Sequence, residues 1–375
     1  MYLKTLLLTL LLCLVLAGCS EQMPETTPVP SETQTVPQTA VPSETSAPEE
    51  TTVPTETVPP TTQAPEILRH PLTGQRREEP IPYRPVAVVI NNISSAQPIH
   101  GIGSADLLFE HVVEGGGSVT RMLAVFTDLE NTGTIGSIRS ARTYLLDLAR
   151  SVGAPLVHVG QSVHAQRDFD TYSYPHYNQF QYPTYFYRDK ERLNAGYSKE
   201  HTMMIQGPDL LQGLLESGFD MTVPGEPYFG MRFSEEAAVP GTSAREITLR
   251  FYSSGGKTTT MTYDSGTDAY RGVQQWKGKQ APIADGNTGE PVLFRNVLIL
   301  KAPTYTDGYH EFATLHGGGT GYFACGGAYV PIRWSRETTY EPFRFTLEDG
   351  TPVTFGLGKT YIGVIPEQSP EVIFS

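Results

Sequence analysis

Apolar positions are spread unevenly along this chain. They form one run from Leu6 to Leu16, nearly vanish between Ser20 and Leu68, and then return as short blocks bounded by Gly, Pro and Asn. Val86-Ala87-Val88-Val89-Ile90 is continuous and mostly β-branched, which predicts a buried strand opening into a polar loop at Asn91-Asn92. Leu107–Glu114 and Val119–Thr127, separated by Gly115-Gly116-Gly117-Ser118, predict a hairpin. Tyr144, Leu145, Leu148 and Ala149 have helical spacing in a segment that stops at Gly153, with Ser137 or Ser140 as the expected N-cap. Leu156–Gly160 is a second buried-strand candidate. Gly207-Pro208-Asp209 opens a helix through Leu210, Leu211, Leu214 and Leu215 that ends at Gly218.

From about Tyr228 the pattern becomes short alternating runs: Ile247–Tyr252, Thr258–Tyr263, Val292–Leu300, Gly321–Cys325 and Lys359–Val364. Gly and Asp turns between them predict antiparallel pairing. The expected fold class is α+β, with an N-terminal mixed α/β domain over 69–225 followed by a mainly antiparallel β domain over 226–375. Gly317-Gly318-Gly319-Thr320-Gly321 lacks the Lys-Ser or Lys-Thr of a phosphate loop and reads as a hairpin turn.

The N-terminal run is well short of the roughly 20 residues that span a bilayer. It leads into Leu16-Ala17-Gly18-Cys19, the small-residue site at which bacterial lipoprotein signal peptides are cut and the cysteine acylated. Residues 1–18 are read as signal peptide and Cys19 as the lipid attachment, which places the protein on the outer face of the cytoplasmic membrane. Residues 19–68 are Thr, Pro and Glu rich and cannot bury enough apolar surface to offset chain entropy, so they read as a disordered tether. The net charge is −13, and the tether supplies eight Glu with no Lys or Arg. The acidic balance is therefore largely linker, and no basic patch points to nucleic acid. Of three cysteines, Cys13 leaves with the signal and Cys19 is lipidated, so Cys325 has no intrachain disulfide partner.

Candidate chemistry gathers in the first domain. Glu110 and Glu114 are spaced by four, which puts both on one side of a strand or a helix. With a four-residue loop, Arg121 lies opposite Val112 and diagonal to both carboxylates. Arg139 and Arg142 fall at the positive end of a helix dipole, where cations are disfavoured by several tenths of a kcal/mol each. They call for an anion, supplied either by a bound phosphate, sulfate or carboxylate or by Glu110, Glu114 or Asp147. Asn91, Asn92, His158, Gln161, Ser162 and His164 lie at the ends of predicted strands, the rim where open α/β sheets bind ligands. Gly160-Gln161-Ser162 is a fragment of a nucleophile elbow without its closing glycine. The histidines show no recognised metal-ligand spacing, so neither a metal nor a cofactor is expected. The tyrosines from Tyr172 to Tyr187 offer faces that suit a ligand.

Several segments carry a family resemblance. His70-Pro71-Leu72-Thr73-Gly74, Arg84 through Asn92, Ala105-Asp106 with Glu110 and Glu114-Gly115-Gly116, Ile135 through Arg142, and His158-Val159-Gly160 resemble the YerB-like lipoproteins of Gram-positive bacteria. The similarity continues through Gly321-Tyr322-Phe323, Trp334-Ser335 and Gly358-Lys359-Thr360. Its most specific part is the Gly-x-x-Arg-Ser-Ala-Arg segment ending at Arg142. The resemblance implies a two-part extracytoplasmic module on a lipid anchor, in a family of uncharacterised biochemical role, and it supplies no catalytic residues.

The leading functional reading is a lipid-anchored envelope protein without catalysis that binds an anionic cell-wall polymer or an envelope protein. Arg139 and Arg142 would hold the anion, with Asn91, Gln161 and the tyrosines around it. The alternative is a hydrolase of cell-wall glycan or peptide in which Glu110 and Glu114 act as acid and base.

Overall fold

The computed structural model describes residues 67–114, 119–225, 229–237, 239–252, 256–368 and 372–375. The signal segment, Cys19, the tether through residue 66 and the Gly115–Ser118 loop lie outside the described residues. No helix among the described residues is long and apolar enough to cross a membrane.

Strands β1 (Val86–Asn92), β2 (Leu107–Glu114) and β3 (Val119–Phe126) are the centre of the fold. β3 pairs antiparallel with both of the others. Beyond β1 come the short parallel strands Leu156–His158 and His176–Asn178. On the other side, β2 pairs in parallel with Thr360–Pro366, which pairs in parallel with Asn296–Ala302. Gly317–Cys325 and Ala328–Arg336 continue the sheet antiparallel. Among the described residues this makes one eleven-stranded sheet. The two halves of the sequence therefore share a sheet, joined where β2 meets Thr360–Pro366. Both of these strands are buried on both faces, and an unpaired edge there would strand backbone donors and acceptors away from water.

Each face of the sheet has its own cover. Helices α1 (Thr143–Ser151) and α2 (Val163–Tyr172) lie on one face, where Leu145, Leu148 and Phe169 pack with Val89, Leu107, Phe109, Leu123 and Val364. On the other face lies an antiparallel sheet containing Glu246–Arg250, Thr258–Asp264 and Ala269–Trp276. It packs Ile247, Leu249, Met261 and Tyr270 against Val88, Leu108, Met122, Val297 and Tyr361. A strand covered on both sides has no solvent face to mark with polar residues, which explains the unbroken run of β1. The α+β class and the mainly antiparallel second half are as the sequence predicts, and so is the Gly207–Glu216 helix with Pro208 in its first turn.

Two local expectations are corrected. β1 runs through Asn91 and Asn92 instead of opening into a loop. Neither Ser137 nor Ser140 caps α1, which begins at Thr143 with Arg142 at the N-cap and no side-chain cap. The preceding residues are held extended, because Asn91 N–H donates to Ser137 O and Arg139 N–H to Val89 O on one side. On the other side Val159 N–H donates to Arg139 O, and Ala141 N–H donates to Gly160 O. Backbone groups engaged on both sides are not free to start a helix.

Candidate anion-binding site

The site begins with a β-bulge. Val112 pairs with Thr120, but Glu114 pairs with Val119, so one residue is added to β2 near its end. Arg121 lies opposite His111, not opposite Val112 as a regular register would place it. The extra residue reverses the alternation that the four-residue spacing implies, and Glu110 and Glu114 point to opposite faces of the sheet. They do not form a carboxylate pair.

Glu110 is fully buried between the two sheets. Its Oε1 accepts from Asn92 Nδ2 at 3.0 Å and Thr120 Oγ1 at 2.7 Å, and forms an ion pair with Lys257. Its Oε2 accepts from Thr259 Oγ1 at 2.9 Å and from the Tyr361 hydroxyl at 2.6 Å. Burial lowers the Lys257 pKa while Glu110 raises it, and burial first and Glu110 second push the Tyr361 phenol far up. Every lone pair of Glu110 that faces a donor is engaged, so Asn92 and Glu110 belong to a closed internal network. Nothing in the sequence pointed to Lys257, which stands 147 residues from Glu110.

On the opposite face three arginines converge. Glu114 forms ion pairs with Arg142 and, at 3.7 Å, with Arg121. Arg121 also donates to Ser140 O, and Arg142 donates to Ala141 O at 2.9 Å. Burial pulls the Arg121 pKa down to about 10, with Tyr144 opposing the shift and Arg139 adding to it. Burial lowers Arg139 and Arg142 as well. Tyr309 lies within electrostatic reach of all three guanidinium groups.

Arg139 differs from its neighbours. It is half-buried, its Nε has no hydrogen-bond partner, and no ion pair reaches its side chain among the described residues. Glu200 is the carboxylate that acts on it electrostatically, and Arg188 stands close enough to both to feel each. Of the internal partners proposed for the arginines, Glu114 serves Arg121 and Arg142. Glu110 is committed to Lys257, and Asp147 to Arg150 at 3.4 Å. One carboxylate in direct contact with two of three buried or half-buried cations leaves an excess of positive charge. The Tyr144 hydroxyl, fully buried beside Arg121 and Arg142, also has no partner among the described residues.

The remaining rim residues divide between this cluster and the scaffold. Asn91 pairs with Arg121 across β1 and β3, and its Nδ2 lies 2.8 Å from His201 Nδ1. His158 is buried, with Nδ1 2.8 Å from Gly160 O and Nε2 2.9 Å from His176 Nδ1. Gln161 accepts from Asn178 Nδ2 at 3.0 Å. Ser162 caps α2, its Oγ accepting from Ala165 N–H at 3.1 Å, so that oxygen serves the helix end and not a nucleophile elbow. Among the tyrosines, Tyr177 stacks on Tyr182 with ring centroids 4.7 Å apart, and Tyr172 lies over Arg150. These rings chiefly cover the core. A groove of about 510 Å³ lies between Gly230–Arg232 and Pro342–Val353, and none of its lining residues belongs to the arginine cluster.

Comparison with known proteins shows the family of the chain. Residues 72–220 match the N-terminal domain, and residues 247–362 the C-terminal domain, of a family described as a protein of unknown function, DUF3048. The chain is 27% identical over 306 residues to a protein of Bacillus subtilis strain 168 named "Putative lipoprotein YerB", covering 80% of this chain and 87% of that one. The crystal structure of YerB from Bacillus subtilis superposes with a TM-score of 0.68 at 24% identity, covering 80% of this chain and 97% of that one, and thereby shares its fold. The first matched segment carries the three arginines, Glu114 and Glu110, while the second carries Tyr309, Lys257 and Tyr361, so the site draws on both. The chain is thus a homologue of YerB and belongs to the family built from the N-terminal and C-terminal DUF3048 domains.

Proposed function

We propose that the protein is a lipid-anchored protein of the outer face of the cytoplasmic membrane that binds an anionic cell-envelope ligand at Arg121, Arg139 and Arg142. The observation that carries this reading is the state of Arg139, a half-buried guanidinium without an ion pair, beside two arginines that share a single carboxylate. Leaving a buried donor unsatisfied costs about 1–3 kcal/mol, more for a charged group. A phosphate or carboxylate at this position meets that donor and offsets the like-charge repulsion. The lipid anchor is supported by Leu16-Ala17-Gly18-Cys19 and by the name of the relative.

Two experiments test the reading. Thermal melting of the full chain at matched ionic strength should show a rise of about 5 °C when inorganic phosphate is raised to about 100 times its Kd. Arg139→Gln should fold, because its side chain has no hydrogen bond or ion pair to lose among the described residues, and should abolish the rise. A wild-type melt indifferent to phosphate and to small carboxylates, together with unfolding of Arg139→Gln, would make the arginines structural and remove the binding reading. Separately, Cys19→Ser should move the protein from the membrane fraction to the soluble fraction. Full membrane retention of that variant would overturn the anchor.

A further inference from the structure

The sequence shows no metal-ligand spacing, yet the fold brings together three metal-binding side chains from distant segments. His164 stands on α2, while Asp307 and His310 occupy the turn between the strands Thr304–Thr306 and Glu311–Ala313. His164 Nε2 and His310 Nδ1 lie 3.0 and 3.1 Å from the same carboxylate oxygen, Asp307 Oδ2. The three donor atoms lie within 4.8 Å of one another. With metal–ligand bonds of about 2.0–2.2 Å, neighbouring donors around one ion sit about 3.0–3.5 Å apart, so little adjustment separates this arrangement from a coordinated one.

The surroundings hold the donors in place. Asp307 Oδ1 accepts from the backbone N–H of Tyr309 at 3.0 Å and of His310 at 2.7 Å, which turns Oδ2 toward the imidazoles. Phe312 meets the His164 ring edge to face at 5.0 Å, and His310 meets it at 5.3 Å. Asp307 is exposed and both histidines are half-buried, so one side of the triad faces solvent and leaves room for water as a further ligand.

We propose that His164, Asp307 and His310 form a binding site for a divalent transition-metal ion of the zinc class. Two imidazoles and one carboxylate suit zinc, cobalt or nickel, whereas magnesium and calcium prefer an all-oxygen shell. The ion links α2 of the first matched segment to the turn of the second. The same turn is tied to β2 by the backbone bridge between Glu114 and His310, and it carries Tyr309 beside the arginines. The metal therefore fixes one wall of the cationic site. The proposal stands on the triad's own geometry and not on the anion reading.

Equilibrium dialysis and thermal melting of the untagged, chelator-stripped full chain test it, with zinc as the probe and magnesium as the control. The expected result is one zinc per chain and a melting temperature raised by about 5 °C at about 100 times the Kd, with no response to magnesium. His164→Ala and His310→Ala should each lose that shift. Asp307→Asn keeps an oxygen for the turn's N–H groups and should fold normally while binding zinc more weakly. No saturable zinc binding by the wild type, or wild-type binding by the His164→Ala/His310→Ala double variant, overturns the proposal.

Discussion

Lys257→Met is expected to destabilise the protein by about 3–5 kcal/mol, the cost of removing one partner from a buried ion pair. Methionine keeps most of the aliphatic volume, so the loss comes from the charge. Without Lys257, the Glu110 carboxyl is left between two sheets with only the neutral donors of Asn92, Thr120, Thr259 and Tyr361. At about 2–4 °C per kcal/mol for a chain of this size, the melting temperature should fall by roughly 10 °C. The double variant Lys257→Met/Glu110→Gln should recover more than half of that, because it removes the stranded carboxyl and keeps an amide able to bond to the same hydroxyls. Chemical denaturation of Lys257→Met, of the double variant and of Glu110→Gln alone decides it. A Lys257→Met protein as stable as the wild type would show that the pair does not hold the two sheets together. A Glu110→Gln protein of normal stability that lost a wall-cleaving activity would instead revive a catalytic role for this carboxylate.

The second large effect is acid lability from two buried histidines. His111 donates from Nδ1 to Val364 O at 2.8 Å with its ring edge against Tyr144, and burial holds its pKa down at about 4. Burial likewise depresses His158 to about 3, with His176 contributing in the same direction. Both rings are neutral in the native state at neutral pH. Below the ordinary value of 6.5 the unfolded chain takes up a proton that the native state refuses, so each fall in pH favours unfolding. Between pH 6.5 and 5 the two histidines together should remove about 3 kcal/mol, and the loss continues until the folded values are passed. Asp147 acts in the opposite sense: burial raises it to about 6, and its uptake of a proton in the native state returns about 1 kcal/mol over the same range. The unfolding free energy from urea titrations should therefore fall by a net of about 2 kcal/mol between pH 6.5 and 5. His111→Gln should show a shallower dependence than the wild type. Flat stability across that range would mean that the native state takes up protons as readily as the unfolded chain, and that burial does not hold these imidazoles neutral.

The local elements were legible because their signals are local. The β-branched run of β1 needs no distant partner to be read as a strand, and the leucine spacing from Tyr144 to Ala149 repeats at the helical period within a few residues. The same holds for the Gly207–Glu216 helix, where Pro208 sets the start and Gly218, at φ +75°, follows the end. The arginine segment brings Arg139 and Arg142 beside Arg121. Its backbone did not follow the pattern, because the hydrogen bonds that extend Ser137–Ala141 come from Val89, Asn91, Val159 and Gly160, and the sequence does not state that these neighbours are adjacent.

The sequence by itself determined where apolar stretches form strands and helices and where charge gathers. The tertiary structure alone decided which side each charge faces. A bulge between Val112 and Glu114 leaves no mark in composition, yet it moved Glu114 away from Glu110 and onto the arginines. It also decided that β2 and Thr360–Pro366 join the two halves in one sheet, that Lys257 finds Glu110, and that His164 finds Asp307 and His310. The physical reason is the same in each case: periodicity reports on neighbours within a few residues, whereas a charge partner is set by which surfaces pack when the whole chain buries its apolar faces.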